Sequence, residues 1–234
     1  MVKKLKVLIL TGKGINCDWE TQRAFEMAGA EARRVHILDL IAQREKLEKY
    51  RILAIPGGFS YGDDLGAGMA LANKMRVGLK GTLKSFITEG KLIIGICNGF
   101  QVLVKLGLLP AHEGTYFQQY ATLTINTSGR FEDRWVTLRV SEGTPCIFLK
   151  GIQTLYLPVR HGEGRFLAPR NTITRILKRH QAALFYIDAS GTPTMEYPAN
   201  PNGSMNAIAG VCDPTGRVFG PVSYTHLRAH ETVL

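Results

Sequence analysis

Residues 91–107, KLIIGICNGFQVLVKLG, place two apolar runs end to end with only Cys97, Asn98 and Gly99 between them. If LIIGI is a buried strand and FQVLVKLG a helix, the chain must turn from one into the other over a cysteine. Gly95 and Gly99 flank that cysteine symmetrically, and glycine is what a close backbone approach requires, because a Cβ there would collide. The spacing G-I-C-N-G matches the G-x-S-x-G nucleophile elbow, with sulfur in place of oxygen. At a helix N-terminus, unpaired N–H groups and the positive end of the dipole favour thiolate over thiol. The N–H of Asn98 would face an oxyanion formed at the attacked carbon. The competing reading makes Cys97 a small buried hydrophobe, which free cysteine often is.

The segments around this turn predict the layers. LKVLIL (5–10), EARRVHILDL (31–40), RILAIPGG (51–58) and KLIIGI (91–96) read as strands. A helix from Asp18, with Asp18 as N-cap and Gly29 as its stop, the stretch IAQREKLEKY and the stretch LKGTLKSFITEG fall between them. In the first helix Trp19, Ala24, Phe25, Met27 and Ala28 are expected near one side. Such alternation predicts an α/β fold with a mostly parallel sheet and helices on both faces. After Pro110 the segments ATLTINTS, RWVTLRV and TLYLPVR alternate apolar and polar residues, which predicts antiparallel strands added in the second half. In a parallel sheet, functional groups gather where the strands' C-terminal ends meet.

One such end is AIPGGFSYGDDLGAG, residues 54–68, where Gly57-Gly58 would present a second backbone donor beside the elbow. Its alternative is a flexible loop; no P-loop pattern accompanies it. A cysteine nucleophile also needs a base. His161 and Glu163 in LPVRHGEGRF have the chemistry, and residues two apart in an extended segment share a side. A polar structural pair explains them equally well. His36, His112 and His180 read as surface or packing residues.

Composition narrows the field. The 234 residues carry a formal charge of +10, but the 29 lysines and arginines are scattered, so a solvated basic face is expected rather than nucleic-acid binding. No apolar run suits a membrane span, and MVKKLKVLIL lacks a signal peptide's apolar region and cleavage site, so a cytoplasmic protein is expected. Cys17, Cys97, Cys146 and Cys212 have no CxxC spacing, which argues against zinc or a disulfide framework.

Taken together, GINCDWETQRAFEMAGAEA, PGGFSYGDDLGAG, GICNGFQVLVKLGLLP, PVRHGEGRF and NPNGSMNAIAGVCDPTGRVFG resemble the glutaminase subunits of phosphoribosylformylglycinamidine synthase, which are class I, triad-type glutamine amidotransferases with a flavodoxin-like fold. The resemblance spans residues 1–220. It implies that Cys97 attacks the side-chain amide of glutamine, giving a γ-glutamyl thioester and ammonia, with glutamate released by water. It further implies oxyanion-hole N–H groups from Gly58 and Asn98, and Gln101, His161 and Glu163 near bound glutamine. The implied partners are a large synthetase subunit and a small accessory subunit. ATP and Mg would be used by the synthetase, and no cofactor or metal is implied here.

The resemblance breaks at the end of the chain. The family follows GRVFG with a segment like LMPHPER, whose histidine and glutamate would fall at positions 224 and 226, where Tyr224 and His226 stand. Residues 221–234 read as a non-native or out-of-frame tail, and the chain as written is expected to be a weak glutaminase. The competing functions are a related α/β cysteine hydrolase or peptidase and a non-catalytic docking subunit.

Overall fold

The computed structural model describes residues 4–62 and 66–222. Its centre is a nine-stranded sheet built from β1 (Lys6–Thr11), β2 (Glu31–His36), β3 (Ile52–Ile55), β4 (Leu92–Gly95), β6 (Glu132–Val140), β7 (Thr154–His161), β9 (Ala182–Tyr186), β10 (Ile208–Cys212) and β11 (Val218–Pro221). The order across it is β2-β1-β3-β4-β11-β10-β9-β6-β7. The pairs from β2 to β11 are parallel and those from β11 to β7 antiparallel. β5 (Thr122–Thr124) and β8 (Arg165–Leu167) form a separate antiparallel pair. The expected parallel core with antiparallel additions is the fold observed.

Burial on both faces explains why the first strands lack alternation. In β1, Leu8 and Leu10 pack into a core shared with α3 (Met69–Thr88) and α4 (Asn98–Leu106), while Val7 and Ile9 join Ile52 and Ala54 on the other face against Phe25 of α1 (Asp18–Met27). Among the described residues, no helix is long and apolar enough to cross a membrane.

Several expected elements shift for identifiable reasons. The second strand stops at His36, whose Nδ1 accepts the Leu38 N–H at 3.2 Å and caps the short α2 (Ile37–Ile41). The stretch expected to be a helix after it holds only a 3₁₀ turn, Leu47–Lys49. α3 begins ten residues before the expected start: Gly78 does not break it, because the side chain of Ile41 fills the place where its Cβ would be. In α1, Asp18 is the first helical residue and Cys17 the N-cap. Thr21 is the buried residue there and Phe25 packs against the sheet, but Trp19 is 65% exposed and Met27 and Ala28 also face out, so the apolar positions of that helix mark its inner face only in part. Gly29 does stop it: Gly29 N–H bonds to Glu26 O and Ala30 N–H to Phe25 O, a Schellman closure.

β11 extends past the expected boundary at Gly220. Pro221 is its last residue, and Val222 is buried with its N–H on Ala209 O at 2.9 Å. The expectations for positions 223–234 lie outside the described residues.

Two glycines separate packing from conformation. A Cβ on Gly99 would lie 2.0 Å from the carbonyl oxygen of Ile55, whereas Gly81, inside α3, has nothing within 4 Å. Gly99→Ala is expected to lower the unfolding free energy by at least about 2 kcal/mol. Gly81→Ala should raise it by about 0.5–1 kcal/mol through helix propensity and a less flexible unfolded chain. Urea denaturation of both variants checks the contrast.

Candidate active site

The ends of three parallel strands build one cavity. After β1 come Asn16 and Cys17, after β3 Gly58 and Phe59, and after β4 Cys97 and Gln101; all line a cavity of about 440 Å³, with Arg160, His161, Gly162 and Glu163 from the end of β7 as a further wall. That volume lies within the range of roughly 300–1,000 Å³ usual for small-molecule sites.

Cys97 sits on a strained turn. Its φ of 53° is in the left-handed region that non-glycine residues seldom enter, a cost of about 1–3 kcal/mol. Three hydrogen bonds hold it there: Cys97 N–H donates to Pro221 O at 3.0 Å, and Cys97 O accepts the N–H groups of Phe100 and Gln101 at 2.9 and 3.1 Å. A Cβ on Gly95 would meet Gly99 O at 2.4 Å, so both flanking glycines are required by close approach, as their symmetry about the cysteine predicts. The thiol lies 3.7 Å from Arg160 O, an acceptor on the opposite wall.

Gly58 lines the cavity, and Asn98 follows Cys97 at the start of α4. Gly58 has φ of 139°, and a Cβ there would fall 2.5 Å from Gly14 O, so the position admits only glycine. It bridges Ile15, but the ladder bond runs from Phe59 N–H to Gly14 O at 2.7 Å, leaving the Gly58 N–H outside the ladder. Asn98 is the first residue of α4, where a backbone N–H has no intrahelical partner.

Side-chain amides tie the loops together. Asn98 Oδ1 accepts the Ser60 N–H at 3.3 Å, and its Nδ2 donates to Gln101 Oε1 at 2.8 Å. Gln101 Nε2 donates to Glu163 O at 2.6 Å, and Glu163 Oε2 accepts the Ala67 N–H at 3.3 Å. One polar chain thus joins the loop after β3, the start of α4 and the loop after β7.

A profile of the CobB/CobQ-like glutamine amidotransferase domain matches residues 4–231. The chain belongs to this family. It is 48% identical over 216 residues, 92% of its length and 79% of the other, to the phosphoribosylformylglycinamidine synthase subunit PurQ of Methanococcus maripaludis. It is 48% identical over 220 residues to PurQ of Dehalococcoides mccartyi, covering 93% of this chain and 83% of that one. The solved structure of PurLQS from Thermotoga maritima superimposes with a TM-score of 0.71 at 30% identity, covering 95% of this chain and 88% of that one.

Within this amidotransferase, His161 and Glu163 share the cavity but not a task. His161 is 3% exposed, with Nδ1 3.2 Å from Asn126 Oδ1 and its ring over Gly164. Glu163 turns the other way, toward Ala67. Two supports went unnoticed in the sequence. Asn126 is one. The other is the NPNGS turn, where Asn202 Nδ2 donates to Gly164 O at 2.9 Å and Ser204 Oγ accepts the Phe166 N–H at 3.0 Å. Runs of Asn, Gly and Ser signal a turn, and only the folded contacts show that this one braces the HGEG segment.

Burial pushes the His161 imidazole down from 6.5 to about 4, against the smaller upward pull of its own backbone and Glu132. Between those pH values the unfolded chain binds a proton that the folded chain refuses, so stability falls as pH drops through that window and is regained above about 6.5. Acidification from pH 7 to 4 is expected to cost about 3 kcal/mol through this residue. His161→Gln should remove that part of the slope, which urea denaturation across pH will read.

Proposed function

We propose that this chain is the glutaminase subunit of a phosphoribosylformylglycinamidine synthase. It hydrolyses glutamine and hands ammonia to a synthetase subunit that uses ATP to turn formylglycinamide ribonucleotide into its amidine, in cytoplasmic purine biosynthesis. The observation that carries this is Cys97 held at a strained strand-to-helix turn inside a cavity that Gly58 also lines, with Asn98 following it as the first residue of α4. PurQ relatives matched over about four-fifths of their length, and the PurLQS assembly of similar fold, support the synthetase and a small accessory subunit as partners.

The chemistry follows from the site. The Cys97 sulfur attacks the side-chain amide carbon of glutamine, and the carbonyl oxygen gains negative charge. The Gly58 and Asn98 N–H groups stabilise that charge, a contribution of about 3–4 kcal/mol for one well-placed donor. Collapse of the tetrahedral adduct breaks the C–N bond; the departing nitrogen takes a proton and leaves as ammonia. Water then attacks the thioester, releasing glutamate and the thiol. Gln101 and Glu163 shape the glutamine end of the cavity, and the subunit needs no cofactor or metal of its own for these steps.

A peptidase-like reading would require His161 as the base of Cys97, yet its Nε2, the nitrogen left to act, is shielded and makes no hydrogen bond to the thiol, which faces Arg160 O. The base and its partner belong to positions 224 and 226 in the family pattern, where Tyr224 and His226 stand. Acid quenching with glutamine and mass spectrometry should find a glutamyl adduct on Cys97 and none in Cys97→Ala. Replacing residues 223–226 with Pro-His-Pro-Glu should raise glutamate release, measured with the synthetase present, on the order of 10³-fold or more. Absence of adduct and of turnover in that repaired chain would overturn the proposal.

A further inference from the structure

The loop after β7 is held by a side chain that no motif announces. Asn126 is 2% exposed and commits every polar group it has. Its backbone N–H donates to Gly162 O and its carbonyl accepts the Gly129 N–H, both at 2.9 Å. Nδ2 donates to His161 O at 2.8 Å and to Arg130 O at 2.9 Å. Oδ1 accepts the Gly164 N–H at 2.9 Å and lies 3.2 Å from His161 Nδ1.

These contacts fix a proton. With two carbonyls facing Nδ2, the amide cannot be turned round, so the atom facing His161 is oxygen and has no hydrogen to give. His161 Nδ1 must therefore carry the proton, and Nε2 is left with the lone pair. Nε2 is shielded and has no hydrogen-bond partner among the described residues. The ring lies so close over Gly164 that a Cβ there would come within 2.2 Å of it. Imidazole, amide and glycine interlock, and the backbone on either side bears the working contacts: Arg160 O faces the Cys97 thiol and Glu163 O takes the Gln101 amide.

We propose that Asn126 is a positioning residue for glutamine engagement: by locking His161 as the Nδ1–H tautomer over Gly164, it fixes the wall from Arg160 to Glu163 against which glutamine is held beside Cys97. This rests on the glutaminase reading. Asn126 touches no reacting atom; it acts through the wall. Asn126→Asp keeps the acceptor but sets carboxylate oxygen against the His161 and Arg130 carbonyls, so the wall shifts while the elbow, held by β11 and α4, does not.

The test uses the full chain and two alkylating agents. Iodoacetamide reads the Cys97 thiol alone; 6-diazo-5-oxo-L-norleucine, a glutamine-shaped diazoketone, reads the thiol and the glutamine pocket together. Asn126→Asp is expected to raise the half-saturating diazoketone concentration tenfold or more and to leave iodoacetamide labelling within twofold of the parent. In the parent, ¹⁵N-resolved imidazole correlations should show His161 as the Nδ1–H tautomer, and Asn126→Ala should move it toward Nε2–H. Unchanged diazoketone saturation in a folded Asn126→Asp chain, or an Nε2–H tautomer in the parent, would overturn the positioning role; the parent spectrum decides even if the variants fail to fold. A parent labelled by iodoacetamide but refused by the diazoketone would instead overturn the glutamine reading itself.

Discussion

The contact on which the rest of this molecule turns is the passage of Gly99 across the end of β3, where the Ile55 carbonyl occupies the space a side chain would need. It lets α4 start immediately after β4, and so forces Cys97 into the positive-φ turn. A strained conformation persists only where its surroundings over-determine it. Here the surroundings are the backbone of β11, taking the Cys97 N–H, and the first turn of α4, closing on the Cys97 carbonyl. The strain is thus set against an interior that would lose a strand pairing or a helix turn by relaxing it.

The loops around the elbow are organised by polar groups. A buried amide lacking a partner costs about 1–3 kcal/mol, so each of Asn98, Gln101 and Asn126 is a strong constraint once it is sealed in. Asn98 and Gln101 bind the loop after β3 to the loop after β7 through the start of α4. Asn126 and the NPNGS turn hold the HGEG segment from behind. Three loops remote in sequence become one wall, and the hydrophobic sheet beneath carries no part of that specification beyond bringing their ends to one edge.

The sequence made some of this legible and left the rest hidden. The elbow could be read because strand, cysteine, helix and flanking glycines are adjacent in the chain, so local sterics determine the outcome. The parallel half of the sheet could be read because apolar runs alternate with helical ones. The inner face of α1 could be read only in part, since its buried position is Thr21, whose hydroxyl finds Cys17 O at 2.6 Å, while Trp19 stays outside under the Arg34 guanidinium. The insertion of β11 beside β4 is a pairing across more than a hundred residues, with no local signature. Asn126 was silent for the same reason: ATLTINTS reads as a strand, and four of this residue's six partnerships, those with residues 161–164, exist only after the end of β7 has been brought beside it.

The place of β11 also bears on the reaction. Its last residue accepts the Cys97 N–H, so the fold delivers the chain to the Cys97 turn at Pro221. On the proposed reading the acid–base pair belongs three and five residues beyond, at positions 224 and 226, which lie outside the described residues. On that reading, the identity of the side chains at those positions decides what the site can do. An imidazole titrating near neutrality can take a thiol proton and return it to ammonia. A phenol with an ordinary pKa near 10 holds its own proton at neutral pH and is too weak a base for that task. Because Cys97 is held by backbone contacts of β11 and α4, its turn does not depend on which side chains stand at 224 and 226, while on the proposed reading turnover does.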